Sequence, residues 1–243
     1  ATRKKLSLFC QVAPQNVISL HDVSNLYRVP MLLADQEVGR IICEQLLLPS
    51  HNVAPALSIG SSDAYQEVPT PIPSQRLGDW SVLADRTDSG TQGITIAVVG
   101  KYTGNVDAYT SVVKALQHAA MEANLRLTLE WVDSVFLEAN AQQLDAKKHE
   151  VAWATLRAAQ GVLVPGGFGT RGIEGKVATA AYCRQSQVPY LGICVGLQTA
   201  VIDFARNVMG WEGANSTEFD EATPHPVVEF LPEGSTTIMG GTM

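Results

Sequence analysis

Val188-Pro189-Tyr190-Leu191-Gly192-Ile193-Cys194-Val195-Gly196 is the most informative stretch of this chain. Residues 188–191 read as an apolar strand, and a helical pattern starts directly after the second glycine. Leu197, Ala200, Val201, Phe204 and Val208 recur at the i, i+3, i+4, i+7 spacing of one helix face. A cysteine between two glycines on a sharp strand-to-helix turn matches a nucleophile elbow in cysteine form. Gly192 and Gly196 allow the strained turn and the close approach that a Cβ would block. At a helix N-terminus the Cys194 sulfur meets the positive end of the macrodipole, where thiolate is favoured over thiol. The N–H of Val195 is then free to point at a developing oxyanion. A lone cysteine is more often a small buried hydrophobe. The glycines and the strand-turn-helix setting tip Cys194 toward a nucleophile. Cys10, Cys43 and Cys183 lack that setting and read as packing residues.

One strand earlier, residues 161–164 end in Pro165-Gly166-Gly167-Phe168-Gly169. Chemistry in a parallel α/β sheet collects beyond the carboxyl ends of the strands. This loop and the elbow should therefore open on the same side. Two consecutive glycines permit an exposed N–H, the second donor of an oxyanion hole. Pro-Gly alone marks many plain turns, so the loop gains its weight from the elbow. Gly100-Lys101-Tyr102 is not a phosphate loop, because Thr95 stands where its first glycine belongs and Tyr102 where Ser or Thr must meet Mg²⁺. Lys101 reads as a loop residue at a strand's end.

Outward from this centre, strand patterns over 94–99, 127–132, 161–164 and 190–193 alternate with helical ones. The helical patterns run over 107–124, 145–160 and 175–186, and then follow the elbow. That alternation predicts an α/β fold, a mostly parallel sheet with helices on both faces. Short strands are expected at 6–9 and 16–20, with a helix over about 30–48. From Pro49 to about Gly93 periodicity fails, and Pro69, Pro71 and Pro73 with serines around Gly60 give a linker composition. The expected domains are residues 1–50, a linker 51–92 and residues 93–243.

At 243 residues, 46% hydrophobic and 17% charged, the chain has the makeup of an ordinary soluble globular protein. A net charge of -7 argues against a nucleic-acid partner, and Arg3-Lys4-Lys5 is too short for a basic patch. Four cysteines without paired spacing suggest a reducing compartment, hence the cytoplasm. No apolar run approaches membrane-spanning length, so no membrane partner is expected. The chain starts without methionine and ends at Met243 soon after Gly240-Gly241, which reads as a piece of something longer.

Four segments carry a resemblance: Pro165-Gly166-Gly167-Phe168-Gly169, Arg171-Gly172-Ile173-Glu174-Gly175-Lys176, Gly192-Ile193-Cys194-Val195-Gly196-Leu197-Gln198, and Ala214-Asn215-Ser216-Thr217-Glu218-Phe219. Together they closely resemble the CTP synthase family. Lys5-Leu6-Ser7-Leu8-Phe9-Cys10, Ile18-Ser19-Leu20-His21-Asp22-Val23 and Tyr27-Arg28-Val29-Pro30 look like the end of that family's synthetase domain. Gly100-Lys101-Tyr102, Asp107-Ala108-Tyr109 and Gly240-Gly241-Thr242-Met243 fit as well. The elbow alone would indicate only a class I glutamine amidotransferase.

The resemblance implies a flavodoxin-like amidotransferase domain preceded by a small α/β remnant of the synthetase domain. It implies an enzyme that hydrolyses L-glutamine and passes ammonia to UTP phosphorylated by ATP with Mg²⁺, with GTP as activator. The complete enzyme would be a homotetramer. Carried over residue by residue, Cys194 is the nucleophile, and the backbone of Gly167 and Val195 forms the oxyanion hole. Gly167, Val195, Gly196, Leu197, Gln198 and Glu218 bind glutamine; a carboxylate at Glu218 suits an α-ammonium. Arg171, Gly172 and Glu174 belong to the GTP-activation loop. His21, Asp22 and Val23 match an ATP-binding stretch, and Lys5 matches a UTP contact. No resident metal ligand is implied. The family's catalytic His and Glu are expected past Met243, which leaves the triad incomplete here. His225, in Pro224-His225-Pro226, matches a segment leading a strand and not the base. The alternatives are another cysteine-dependent amidotransferase, or a non-catalytic regulatory module of the same fold.

Overall fold

Runs rich in Val, Ile and Leu become central strands when helices cover both sheet faces, and the computed structural model of this chain shows that outcome. It describes residues 2–48, 74–101, 103–104 and 106–229. The stretch around Gly60 and Pro69, Pro71 and Pro73, together with Tyr102 and Gly240-Gly241-Thr242-Met243, lies outside the described residues. Contacts divide the chain into two compact units, residues 1–91 and 92–243.

The first unit is helical in its described residues: α1 (Thr2–Cys10), α2 (Val29–Asp35), α3 (Val38–Gln45) and α4 (Ser74–Ser89). The strands expected at 6–9 and 16–20 do not form. Residues 6–9 are the end of α1, and residues 17–20 are extended but unladdered. A stretch as short as Leu6-Ser7-Leu8-Phe9 does not distinguish strand from helix, and a helix satisfies its own N–H groups where no neighbouring strand offers acceptors. At 19 a side chain replaces the missing strand. The Ser19 N–H donates to Gln36 Oε1 at 2.8 Å, and Gln36 Nε2 donates back to the Ser19 carbonyl at 2.9 Å.

The single helix expected over 30–48 is two, broken where Glu37 takes a left-handed φ of 52°. The stretch read as linker ends in α4. Asp88 of that helix accepts from Asn25, Ser24 and Arg28, which hold its carboxyl down at about 2. Cys10 is exposed and Cys43 half-buried, so only Cys183 of the three is a core residue.

The second unit runs β1 (Gln92–Gly100), α5 (Thr110–Glu122), β2 (Leu125–Asp133), α6 (Ala141–Leu144), α7 (Ala146–Ala158), β3 (Gly161–Val164), α8 (Ile173–Ser186), β4 (Tyr190–Gly192), α9 (Val195–Asn207), β5 (Asn215–Ser216) and β6 (Pro226–Val228). The main sheet is parallel throughout, in the order β2-β1-β3-β4, and contains only residues of this unit. Consecutive residues Ala97, Val98 and Val99 point to alternate faces, yet all three have no exposure, so both faces of β1 are covered. Ala97, Val99, Val162 and Val164 pack with Ala152 and Leu156 of α7 and Cys183 of α8. Among the described residues no helix is long and apolar enough to cross a membrane.

Helix α9 forms as the spacing predicts, but its apolar stripe faces outward. Leu197, Val201, Phe204 and Val208 are exposed, while Val195, Gly196, Thr199, Ile202, Asp203 and Ala205 are buried. Small residues let the helix approach β3 closely. The buried Asp203 carboxylate is accommodated by Arg184 at 2.8 Å and Asn207 at 2.7 Å. The outward stripe lines an apolar groove of about 370 Å³ with Met209, Trp211 and Val227.

Candidate active site

The strand order doubles back between β1 and β3, so their carboxyl ends diverge and leave a crevice. Three turns leave the sheet at that edge: Lys101 after β1, residues 165–169 after β3, and Cys194 after β4. Cys194 has φ 53° and ψ -112°, a conformation strained for any residue with a side chain. Its neighbours must be glycine. A Cβ at Gly192 would lie 2.5 Å from the Gly196 carbonyl, and one at Gly196 would lie 2.1 Å from the Val164 oxygen. The Ile193 N–H donates to the Val164 carbonyl at 2.9 Å, fastening the elbow to β3. The Tyr190 hydroxyl donates to the Gly196 carbonyl at 2.6 Å, and burial pushes that phenol up to about 12.

The result is an exposed thiol on a fixed turn. Cys183, by contrast, is buried, and burial pushes its thiol up to about 11. The N–H of Val195 is the first of α9, among the four that no intrahelical carbonyl can accept. A Cβ at Gly166 would stand 3.8 Å from the Cys194 sulfur, so the double-glycine loop lies against the thiol.

Two lysines shape that loop from within. Lys101, nearly buried, donates through Nζ to the Phe168 carbonyl at 2.9 Å and to the Gly169 carbonyl. Burial lowers its proton affinity, the Glu218 carboxylate opposes that, and Arg171 reinforces it. Lys176, fully buried, donates to the Pro165 carbonyl at 3.3 Å. Burial first, then Lys101, lowers its amine to about 8 against the opposing pull of Cys194.

Glu218 is half-buried, and its Oε1 has no hydrogen-bond partner among the described residues. An unpartnered carboxylate oxygen beside a crevice is a position for a cationic or N–H donor from a ligand. Gln198 stands half-buried in the first turn of α9, and its N–H donates to the Cys194 carbonyl at 3.1 Å.

Arg171 donates to the Lys101 carbonyl at 3.0 Å and pairs with Asp133 at 2.8 Å, while 60% of its side chain stays exposed. Gly172 begins α8 at φ 72°, with Ser134 so close that a Cβ would lie 2.2 Å from its hydroxyl oxygen. Glu174 pairs with Arg206 at 2.8 Å. Burial raises the Glu138 carboxyl, nearby Glu174 and Asp133 add to that, and the N–H groups of Gly172 and Gly175 oppose it. His225 stacks on Trp211 at 5.7 Å, and His149 Nδ1 lies 2.9 Å from the Phe136 carbonyl. Lys5, His21 and Asp22 are exposed and Val23 half-buried, all in the first unit.

Comparison with known proteins places the chain in a family. The family described as glutamine amidotransferase class-I matches residues 105–243, and that described as CTP synthase N-terminus matches residues 1–48. The CTP synthase of Dictyostelium discoideum is 49% identical over 247 residues, covering 100% of this chain and 41% of its own length. CTP synthase 1 of Homo sapiens is 44% identical over 243 residues, covering 100% of this chain and 38% of its own. This chain belongs to the CTP synthase family of class I glutamine amidotransferases. It spans about two fifths of the length of the curated relatives it matches. A solved structure, the Trypanosoma brucei CTPS glutaminase domain with bound acivicin, aligns over 57% of this chain and 50% of its own at 38% identity, with a TM-score of 0.49.

In this amidotransferase unit the sequence reading overlooked the clamps. Lys101 is a bridge to the 165–169 loop and not a plain loop residue; Lys176 has a place in the Arg171–Lys176 segment but no role there, and Asp133 and Glu138 have none. Lys176 did leave a signal. It stands in the stripe Ile173, Val177, Ala180, where a charged residue breaks an apolar helix face.

Proposed function

We propose that Cys194 attacks the side-chain carboxamide of L-glutamine, and that the ammonia released serves the amination of UTP to CTP. The observation that carries this reading is the exposed thiol at φ 53°, pinned by two obligatory glycines against the Pro165-Gly166-Gly167 loop. The thiolate forms a C–S bond to the amide carbon, and the oxyanion is met by the N–H groups of Gly167 and Val195. Collapse of the tetrahedral adduct breaks the C–N bond. The protonated nitrogen leaves as ammonia, and water then cleaves the thioester to glutamate. Glu218, with its unpartnered oxygen, takes the α-ammonium, and Gly196, Leu197 and Gln198 line the rest of the pocket. The base belongs with the His and Glu that the resemblance puts past Met243, since His225 is engaged with Trp211.

Residues 1–50 are then the end of the synthetase domain, residues 51–92 the connection and residues 93–243 the glutaminase. Arg171, Gly172 and Glu174 form the loop that answers GTP; the largely exposed Arg171 guanidinium suits an anionic phosphate. His21, Asp22 and Val23 would contact ATP and Lys5 would contact UTP. Mg²⁺ would accompany the nucleotide phosphates. The test is Cys194→Ala in the full-length protein. Glutamine-dependent CTP formation should fall at least ~1,000-fold while formation from free ammonia persists. Glutamine use indifferent to the substitution would dismiss the reading.

A further inference from the structure

Among the fully buried side chains of the described residues, Lys176 is the largest, and it is a cation inside an otherwise apolar stripe of α8. Burying an ammonium is costly unless something charged or polar answers it. The answer here is thin: one hydrogen bond to the Pro165 carbonyl at 3.3 Å, and no carboxylate paired with it among the described residues. The ammonium lies under the loop that faces the thiol. A Cβ at Gly167 would stand 4.0 Å from Lys176 Nζ, and a Cβ at Gly166 would stand 3.8 Å from the Cys194 sulfur. Cation and sulfur thus flank consecutive residues of one turn.

The other charges around Lys176 do not neutralise it. Lys101, at the end of β1, repels it and itself faces Arg171 and Glu218; Cys194 is the group that favours its protonated form.

We propose that Lys176 is the buried counter-charge of the Cys194 thiolate, a positioning residue that ties the 165–169 loop and the nucleophile into one electrostatic unit. The proposal deepens the reading of Cys194 as a nucleophile and rests on it. A cation one loop layer away from a sulfur attracts the thiolate and not the thiol, and the attraction is strengthened where water is excluded. The coupling is reciprocal, so the thiolate must raise the proton affinity of the amine by the same amount.

The test is the rate of Cys194 alkylation by iodoacetamide against pH, read by peptide mass, in this chain and in its Lys176→Met variant. Alkylation of Cys194 at pH 7 should be several-fold slower in the variant, because the nucleophilic thiolate loses its counter-charge. Exposed Cys10 should react alike in both, and buried Cys183 should stay unmodified, which reports that the variant is folded. Cys194→Ser supplies a second arm that does not disturb the lysine's packing. With ¹³C-labelled lysine, the Lys176 titration seen by NMR should fall when the thiolate is removed. An unshifted Cys194 profile in folded Lys176→Met, or an unmoved Lys176 titration in Cys194→Ser, overturns the proposal. Should a glutamine analogue spare Cys194 while both shifts appear, the pairing stands and the glutaminase reading falls.

Discussion

Cys194 holds its backbone at φ 53° and ψ -112°, which costs about 1–3 kcal/mol and persists because its surroundings over-determine it. Those surroundings are the contacts of Gly192 with the Gly196 carbonyl and of Gly196 with the Val164 oxygen. Gly196→Ala should therefore destabilise the fold by roughly 2–3 kcal/mol in urea titration and abolish preferential alkylation of Cys194. Lys176 gives an opposite expectation for stability. Its folded amine lies at about 8 and the ordinary value is 10.5, so between those values the unfolded chain binds more protons. Stability should rise with pH across that window, and the whole penalty stands below pH 8. Lys176→Met should then raise the unfolding free energy from urea titration at pH 7 by roughly 2–3 kcal/mol and flatten the rise toward pH 10. The elbow glycines were legible in the sequence because their spacing is local. The buried cation was not, because which face of a helix meets a neighbouring loop is a tertiary fact.

Helix α9 shows the same division between pattern and packing. Its 3.6-residue period is plain in Leu197, Ala200, Val201, Phe204 and Val208, yet the buried residues include Thr199, Ile202, Asp203 and Ala205. Periodicity announced the helix but not which side is covered, since Ile202 packs on Ile173 and Val177 of α8 and Asp203 pairs with Arg184 of that helix. Asp203 keeps 2% of its side chain exposed and relies on Arg184. Arg184→Ala leaves that carboxylate with Asn207 alone, and the urea midpoint at pH 7 should fall. An unmoved midpoint would mean the pair behaves as an exposed one.

Across the whole molecule, the parallel sheet was legible because its central strands β1 and β3 carry continuous apolar runs between helical periods, while the outer β2 alternates. Their ends fell within a few residues of expectation. The first unit was less so. Its residues 6–9 look equally like strand or helix in isolation, and Gln36 at residue 19 imitates a strand partner that no local pattern reveals. The two-residue β5 that follows α9 is too short to leave a period, while β6 lies where the segment around His225 was expected to lead into a strand. Lys101, residues 165–169 and Cys194 converge at one end of the sheet, and the proposed chemistry at that convergence is where the account is most exposed to test. Treat the full-length protein with an electrophilic glutamine analogue and map every modified cysteine by mass spectrometry. The account predicts rapid modification of Cys194, suppressed by excess L-glutamine, with Cys10, Cys43 and Cys183 spared. Labelling that misses Cys194, or that glutamine does not suppress, would contradict it.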